Sequence, residues 1–252
     1  MSDASAATDA QHRAANTWRV AEVIAARFET DAARTLRLRA PGLGSELAGQ
    51  HIDVRLTAPD GYTAQRSYSL ASAEGGDEAE ITVEELADGE VSPYLVRGVQ
   101  LGEQLEVRGP VGGWFVWHPE DESPVVLIAG GSGVVPLMAM ARRHRLLRSR
   151  VPFTLLYSVR SPDRVIYRDE LHELAADAEA PFELMLFYTR EAPPEVTRPP
   201  GRLTRDEVAM AAMDENVRFF ICGPTAFVET VANRLIDDGF DPDRIKTERF
   251  GG

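Results

Sequence analysis

Near residue 118 the sequence changes rhythm, and that change limits the fold more than any other feature. From Trp18 to about Arg108 the chain reads as short segments of alternating apolar and polar residues, at 19–26, 35–39, 51–57, 65–70, 80–85 and 104–107. Turn residues such as Pro41-Gly42 and Pro59-Asp60-Gly61 separate them. Six such segments predict a small antiparallel β-barrel. Ser92-Pro93 interrupts the pattern as a helix start, with Ser92 able to cap and Pro93 suited to the first helical position. A helix start there would offer free backbone N–H groups to an anion.

Beyond a polar connector, 118–123, apolar runs alternate with amphipathic ones. Strands are expected at 125–129, 153–158, 182–188, 217–222 and 244–248, and helices at 134–147, 168–176, 204–212 and 226–238. Strands interleaved with helices imply a doubly wound parallel sheet, whose ligands sit at the carboxyl ends of the strands. Thr204 with Glu207 forms a capping box, and Gly239 should stop the last helix. The expected organisation is a tail at 1–16, a β-barrel domain at 17–118 and an α/β domain at 119–252. The 252 residues suffice for two separate cores.

Composition removes several function classes. The net charge of -13 argues against a nucleic-acid partner, which would need basic surface. The single cysteine, Cys222, rules out an intrachain disulfide and a cluster held by four thiolates, so any iron–sulfur chemistry would belong to a partner. The five histidines lack metal-ligand spacing, so no metal site is expected and they read as surface or packing residues. No apolar run approaches the ~20 residues of a membrane-spanning helix, and residues 1–16 lack a signal-peptide pattern. The expected location is the cytoplasm, with no membrane partner.

Against that background the chemistry-bearing residues fall into a few groups. Arg66-Ser67-Tyr68-Ser69 places a cation and an aromatic ring on one face of a strand and hydroxyls on the other, a combination that suits a flavin. A half-exposed strand with a Tyr on the core would read the same way. Gly130-Gly131-Ser132-Gly133, followed by Val134-Val135-Pro136, opens the second domain's first helix, where glycines let the backbone approach a pyrophosphate. A tight turn alone would also demand glycine, but the position after the first parallel strand favours a dinucleotide. Cys222-Gly223-Pro224 ends the fourth strand of that domain and puts a thiol at the rim, and Glu248-x-Phe250 follows the last one. The basic run Arg142, Arg143, Arg145, Arg148 and Arg150 is either a solvated helix face or a docking site for an acidic electron carrier.

In order along the chain, Arg66–Ser69, Gly89-x-x-Ser92, Gly109-Pro110-x-Gly112, the Gly-rich turn, Cys222-Gly223-Pro224 and Glu248-x-Phe250 resemble the ferredoxin-NADP reductase family, from about Trp18 to Phe250. In the segment 109–117 the chain is similar to FAD-using oxygenase reductases. The resemblance implies an FAD-binding barrel followed by an NAD(P)-binding domain. Arg66 would then meet the flavin phosphates and Tyr68 the isoalloxazine, with Ser69 near its N5. Ser67, Gly89 and the backbones of Val83, Val91 and Ser92 would line the same site, and Phe115 or Trp117 would stack on adenine.

For the nicotinamide, the resemblance assigns Gly130, Gly131, Ser132, Gly133, Pro136, Ser158, Arg160, Thr189, Arg190, Gly223 and Pro224 to binding. Cys222, Glu248 and Phe250 would border the reacting ring, Phe250 shielding the flavin until the nicotinamide arrives. Tyr188-Thr189-Arg190-Glu191 favours NADPH over NADH as donor. An Arg merely exposed at a strand end is the plain alternative. The implied activity is hydride transfer to flavin N5, then single electrons to a separate redox protein, a ferredoxin first among the candidates. A diaphorase-like reductase of quinones, free flavin or ferric chelates, and a relay subunit of a larger complex, are the alternatives.

Overall fold

The computed structural model of the chain describes residues 16–212 and 216–250. The expected tail, apart from Asn16, lies outside the described residues, as do Gly251 and Gly252. The chain divides into two compact units, one running to Phe28 and from Ala32 to Val116, the other comprising Glu29–Asp31 and Trp117 onward.

The first unit is built on six antiparallel strands: β1 (Arg19–Thr30), β2 (Ala33–Gly44), β3 (His51–Thr57), β4 (Thr63–Ser69), β5 (Gly76–Glu84) and β6 (Gln104–Val111). They lie in the order β4-β3-β6-β1-β2-β5, and an isolated antiparallel bridge between Leu70 and Ile81 joins the two edges. The expected barrel is therefore present, its interior filled by alternate residues such as Leu36, Leu38, Ile52, Val54, Ile81, Val83 and Val107. Alternation fixes the register: Leu36 and Leu38 are buried while Arg37 and Arg39 are exposed and meet Glu78 across the β2–β5 pair. A one-residue slip would expose both leucines, at about 1.5–3 kcal/mol each, and drive the guanidinia inside. Pro41-Gly42, expected to end this strand, instead lies within β2, where the register shifts between Arg39 and Gly44 and Gly42 takes a φ of 74°.

The second unit carries a five-stranded parallel sheet with β7 (Val125–Gly130), β8 (Phe153–Val159), β9 (Phe182–Tyr188), β10 (Arg218–Pro224) and β11 (Ile245–Phe250). Its order is β11-β10-β7-β8-β9, so the chain reverses direction across the sheet between β7 and β10. Central β7 is buried at every position, as a strand covered on both faces must be. Four helices interleave: α1 (Val134–Leu146), α2 (Arg168–Ala176), α3 (Arg205–Ala211) and α4 (Thr225–Asp237). The expected capping box is formed, Thr204 Oγ1 accepting from Glu207 N–H at 3.3 Å and Glu207 accepting from Thr204 N–H at 2.7 Å. Gly239, at φ 90°, ends α4 as expected.

His144, near the end of α1, is 1% exposed, stacks on Phe153 at 4.2 Å and lies 2.7 Å from the Val151 carbonyl through Nε2. Burial holds its imidazole below the ordinary value of 6.5, against the opposing pull of the Val151 carbonyl and Asp177. The unfolded chain therefore takes up a proton that the folded one refuses just below pH 6.5, and stability falls as pH drops through that window. Lowering the pH from about 7.5 to 5.5 is expected to reduce the thermal midpoint of the wild type more than that of His144→Gln, which keeps a donor for Val151 and does not titrate. Equal slopes by scanning calorimetry would show that His144 carries none of this dependence.

Candidate functional site

Strand β4 sorts the Arg66–Ser69 segment onto two faces. Arg66 and Tyr68 pair with Val54 and Ile52 of β3 and share the face that continues from the barrel core. Ser67 and Ser69 face the other way, where Ser67 Oγ donates to Asp53 Oδ1 at 2.6 Å. Arg108 of β6 donates to Asp53 Oδ2 from Nε at 3.1 Å and Nη2 at 2.5 Å, so one carboxylate ties three neighbouring strands. Burial pushes the Asp53 carboxyl up, but the Ser67 and Arg108 hydrogen bonds outweigh it and hold it below the usual range.

On the opposite face Tyr68 is half-buried, and burial pushes its phenol up to about 12 despite nearby Arg66. It is a neutral ring over the working range of pH. The exposed Arg66 guanidinium meets Glu90 Oε2 at 2.9 Å, and Glu90 also accepts from Tyr62 Oη at 2.8 Å. Ser69 is 5% exposed, and its Oγ has no hydrogen-bond partner among the described residues. A buried hydroxyl left this way loses its hydration without compensation. A cation engaged by an exchangeable carboxylate beside a neutral aromatic face fits a planar heterocycle bearing phosphate, and the unsatisfied Ser69 hydroxyl stands at the end of the same strand on its other face.

Several expectations in this unit require correction. Ser92 does not cap a helix: its Oγ accepts from Leu86 N–H at 3.1 Å, and the helical element is one turn, Tyr94–Gly98. The Gly89-x-x-Ser92 spacing has a packing cause, since a Cβ on Gly89 would stand 2.7 Å from Ser92 Oγ. The Val91 carbonyl accepts from Leu95 N–H at 3.1 Å. Val83 is paired with Arg34 of β2, while Glu80, of opposite parity, turns its N–H to Ser72 and its C=O to Ala71. The Val83 backbone is therefore used inside the ladder. Phe115 and Trp117 are 6% and 2% exposed, Trp117 meeting Phe153 edge-on at 5.0 Å, so neither offers a stacking face. Within 109–117 the exposed aromatic is Trp114, at 61%, directly after Gly112-Gly113.

In the second unit the turns after β7 and β10 lie side by side where the strand order reverses. Their backbones touch: a Cβ on Gly133 would overlap the Cys222 carbonyl, and one on Gly223 would stand 2.9 Å from Gly130 O. Gly130 is closed off by the Phe227 ring, 2.8 Å from where its Cβ would be. Gly133 and Gly223 are thus required by turn-to-turn packing and Gly130 by the Phe227 ring of α4. Gly131, at φ 55°, and half-buried Ser132 lie between them, and Pro136 is buried in α1. The α1 N-terminus has neither a side-chain cap nor an acidic residue in its first turn, and its Val134 N–H donates to Gly131 and Ser132 C=O of the short turn that leads into it, so the positive end of the helix extends into the glycine turn.

Ser158, 8% exposed, neighbours Gly130 in the β7–β8 ladder. Arg160 and Arg190 follow β8 and β9, and their backbones are joined, Arg190 N–H donating to Arg160 C=O at 2.9 Å, next to Thr189 N–H on Val159 C=O at 2.8 Å. Both guanidinia are exposed and neither forms an ion pair among the described residues. Cys222 pairs with Glu248, and Pro224 with Phe250, across β10 and β11. The thiol expected at the rim is 0% exposed, and burial, with Glu248 adding to it, pushes its pKa well up. It is a protonated thiol at the end of its strand. Three of the five arginines of the basic run are paired: Arg142 meets Glu170 at 2.7 Å, Arg145 meets Asp177 at 3.1 Å and Arg148 meets Glu179 at 3.2 Å. Among the described residues no group of acidic, His and Cys side chains could hold a metal, and no helix is long and apolar enough to cross a membrane.

Comparison with known proteins agrees with both halves. Residues 21–116 match the oxidoreductase FAD-binding domain, and residues 127–233 match the oxidoreductase NAD-binding domain. The chain is 31% identical over 208 residues to a flavohemoprotein of Deinococcus radiodurans, covering 81% of this chain and 51% of that protein. It is 32% identical over 211 residues to the glycine betaine monooxygenase reductase subunit of Chromohalobacter salexigens, covering 81% and 55%. The chain thus spans about half the length of these relatives. Among solved structures, the FAD/NAD-binding domain of the nitric oxide dioxygenase of Vibrio cholerae superposes with a TM-score of 0.81 at 27% identity, covering 93% of this chain and 99% of that one. A ferredoxin NADP+ reductase of Neisseria gonorrhoeae with bound FAD and NADP shares the fold, with a TM-score of 0.78 at 24% identity, covering 92% and 98%.

The Arg66–Glu90 pair gives a direct test of the flavin side. Both side chains are about half exposed, so their mutual attraction is worth at most about 1 kcal/mol. If FAD phosphate competes with Glu90 for Arg66, Glu90→Ala should tighten FAD binding to the apoprotein by up to about fivefold, measured by fluorescence titration. Weaker binding in Glu90→Ala would place Glu90 itself among the groups that hold the cofactor.

Proposed function

We infer that this chain, which belongs to the ferredoxin-NADP reductase family and joins an FAD-binding to an NAD-binding oxidoreductase domain, is a reductase component. In this reading it draws an electron pair from NADPH and serves a separate redox protein, a ferredoxin or the oxygenase itself. The observation that carries it is the uncapped turn Gly131-Ser132 at the strand-order reversal, in a chain whose barrel presents Arg66, Tyr68 and the unsatisfied Ser69 hydroxyl. The likeness to an oxygenase reductase subunit supports a partner outside this sequence. So does the single cysteine, which cannot hold an iron–sulfur cluster here.

Bound FAD supplies the conversion of a two-electron donor into single-electron deliveries. The chain's own residues do the rest by placement. Arg66 holds phosphate, Tyr68 covers the ring and Ser69 meets a polar ring atom. The α1 N-terminus and the Gly131-Ser132 backbone hold the pyrophosphate of the nicotinamide nucleotide. Cys222, Glu248 and Phe250, adjacent on β10 and β11, border its ring. The thiol stays protonated, so it shapes that pocket without exchanging a proton.

Arg160 and Arg190 favour NADPH over NADH. Two arginines on backbone-joined turns, neither in an ion pair among the described residues, would offer a 2′-phosphate charge-assisted hydrogen bonds in a chain of net charge -13. Arg190→Ala should lower kcat/KM for NADPH roughly tenfold to a hundredfold, the worth of one charge-assisted hydrogen bond, and leave NADH unchanged. Equal losses with both nucleotides in steady-state assays would withdraw the NADPH assignment.

A further inference from the structure

The loop from β9 to α3 leaves its strand at Thr189-Arg190 and comes back to it at Gly201, whose N–H donates to Tyr188 C=O at 3.0 Å. β9 is an edge strand, and that bond lies on the edge away from β8. The segment that carries Arg190 is therefore held on both sides. Thr189 and Arg190 N–H meet Val159 and Arg160 C=O on one side, which is sheet geometry continued. On the other, Gly201 meets Tyr188, and this contact depends on what shapes the returning leg, 198–202.

One side chain shapes it. Arg198 donates from Nη1 to the Pro199 and Gly201 carbonyls at 3.1 and 3.3 Å, and from Nη2 to the Arg202 carbonyl at 3.0 Å and Glu207 Oε2 at 3.1 Å. Its Nε donates to Glu207 Oε1. A guanidinium has five N–H donors in a fixed fork, and here each has an acceptor. Its Cζ also lies over the ring of Phe187, a core residue of β9, 5.2 Å from the centroid. The Arg198 and Glu207 side chains are only 25% and 16% exposed. Capping α3 does not require this arginine, because Thr204 and Glu207 complete the capping box between themselves. Three of its five bonds go to the leg instead.

Resting on the NADPH reading above, we propose that Arg198 is a positioning residue for nucleotide choice that acts through Arg190. By drawing the Pro199, Gly201 and Arg202 carbonyls onto one guanidinium, it turns Gly201 N–H toward Tyr188 C=O. That bond sets the direction in which Thr189-Arg190 leaves β9. Arg198 itself, with every donor taken, has none left for a phosphate. Its effect on a ligand is indirect and confined to the group that Arg190 meets.

The test is calorimetric titration of the FAD-loaded protein with 2′,5′-ADP, which carries the 2′-phosphate, and with 5′-AMP, which lacks it. Arg198→Lys keeps the charge but not the fork, and should weaken 2′,5′-ADP by about threefold to tenfold while leaving 5′-AMP unchanged. In an Arg190→Ala background the same substitution should cost nothing further, because the group it positions is gone. Glu207→Gln, which keeps an oxygen for Thr204 N–H, loosens Arg198 without emptying the site and should shift the ratio of the two affinities in the same direction. Equal weakening of both ligands would make Arg198 a support of the fold only, and an undiminished loss in the Arg190→Ala background would show that it acts elsewhere. Either result overturns the proposal, as does an Arg198→Lys protein with a wild-type thermal midpoint that binds both ligands as the wild type does. If the wild type holds the two ligands alike and Arg190→Ala changes neither affinity, the NADPH reading falls, and the proposal with it.

Discussion

A single carboxylate, Asp53, fixes which way strand β4 faces, and the chemistry of the barrel follows from that choice. A strand shifted by one residue exchanges its two faces. Ser67 and Arg108 hold Asp53 from the strands on either side, so Ser67 must lie outward and Arg66 and Tyr68 must lie on the core side. The network is half-buried and charge-assisted, where hydrogen bonds are worth most. Guanidinia of Arg108 and Arg55 also flank Trp18 at 4.9 and 4.2 Å, tying the first described segment to the same sheet face.

The second unit depends on backbone proximity. The turns after β7 and β10 can touch only because Gly133 and Gly223 lack side chains, and that contact seats the α1 N-terminus at the point where strand order reverses. The nucleotide-binding geometry is in this sense a by-product of sheet packing. Gly130 and Gly133 are fixed by Phe227 and Cys222, which leaves Gly131 and Ser132 as the residues of the turn open to a ligand.

Periodicity made the architecture legible, because alternation and helical spacing are local properties. Both sheets, the capping box at Thr204 and the Gly239 stop could be read from spacing alone. What could not be read depends on partners distant in sequence. The basic run reads as a solvated face or a docking face, and its spacing gives no sign that Glu170, 28 residues beyond Arg142, and then Asp177 and Glu179 pair with three of its five arginines. Ser92 looked like a cap, but Leu86 N–H claims its hydroxyl first. Phe115 and Trp117 carry the ring types that stack on adenine, and only the packing of Trp117 against Phe153 reveals that they are spent on the core while Trp114 is exposed. Asp53, which joins β4 to β6 through Ser67 and Arg108, has no local signature at all.

The central claim is that this chain binds FAD and that a nicotinamide nucleotide reduces it there. Anaerobic mixing of the FAD-loaded protein with NADPH, and separately with NADH, while recording the flavin absorbance tests it most directly. The account predicts loss of the oxidised flavin band with both, faster at limiting concentrations of NADPH than of NADH. A flavin spectrum unchanged by either nucleotide would contradict it.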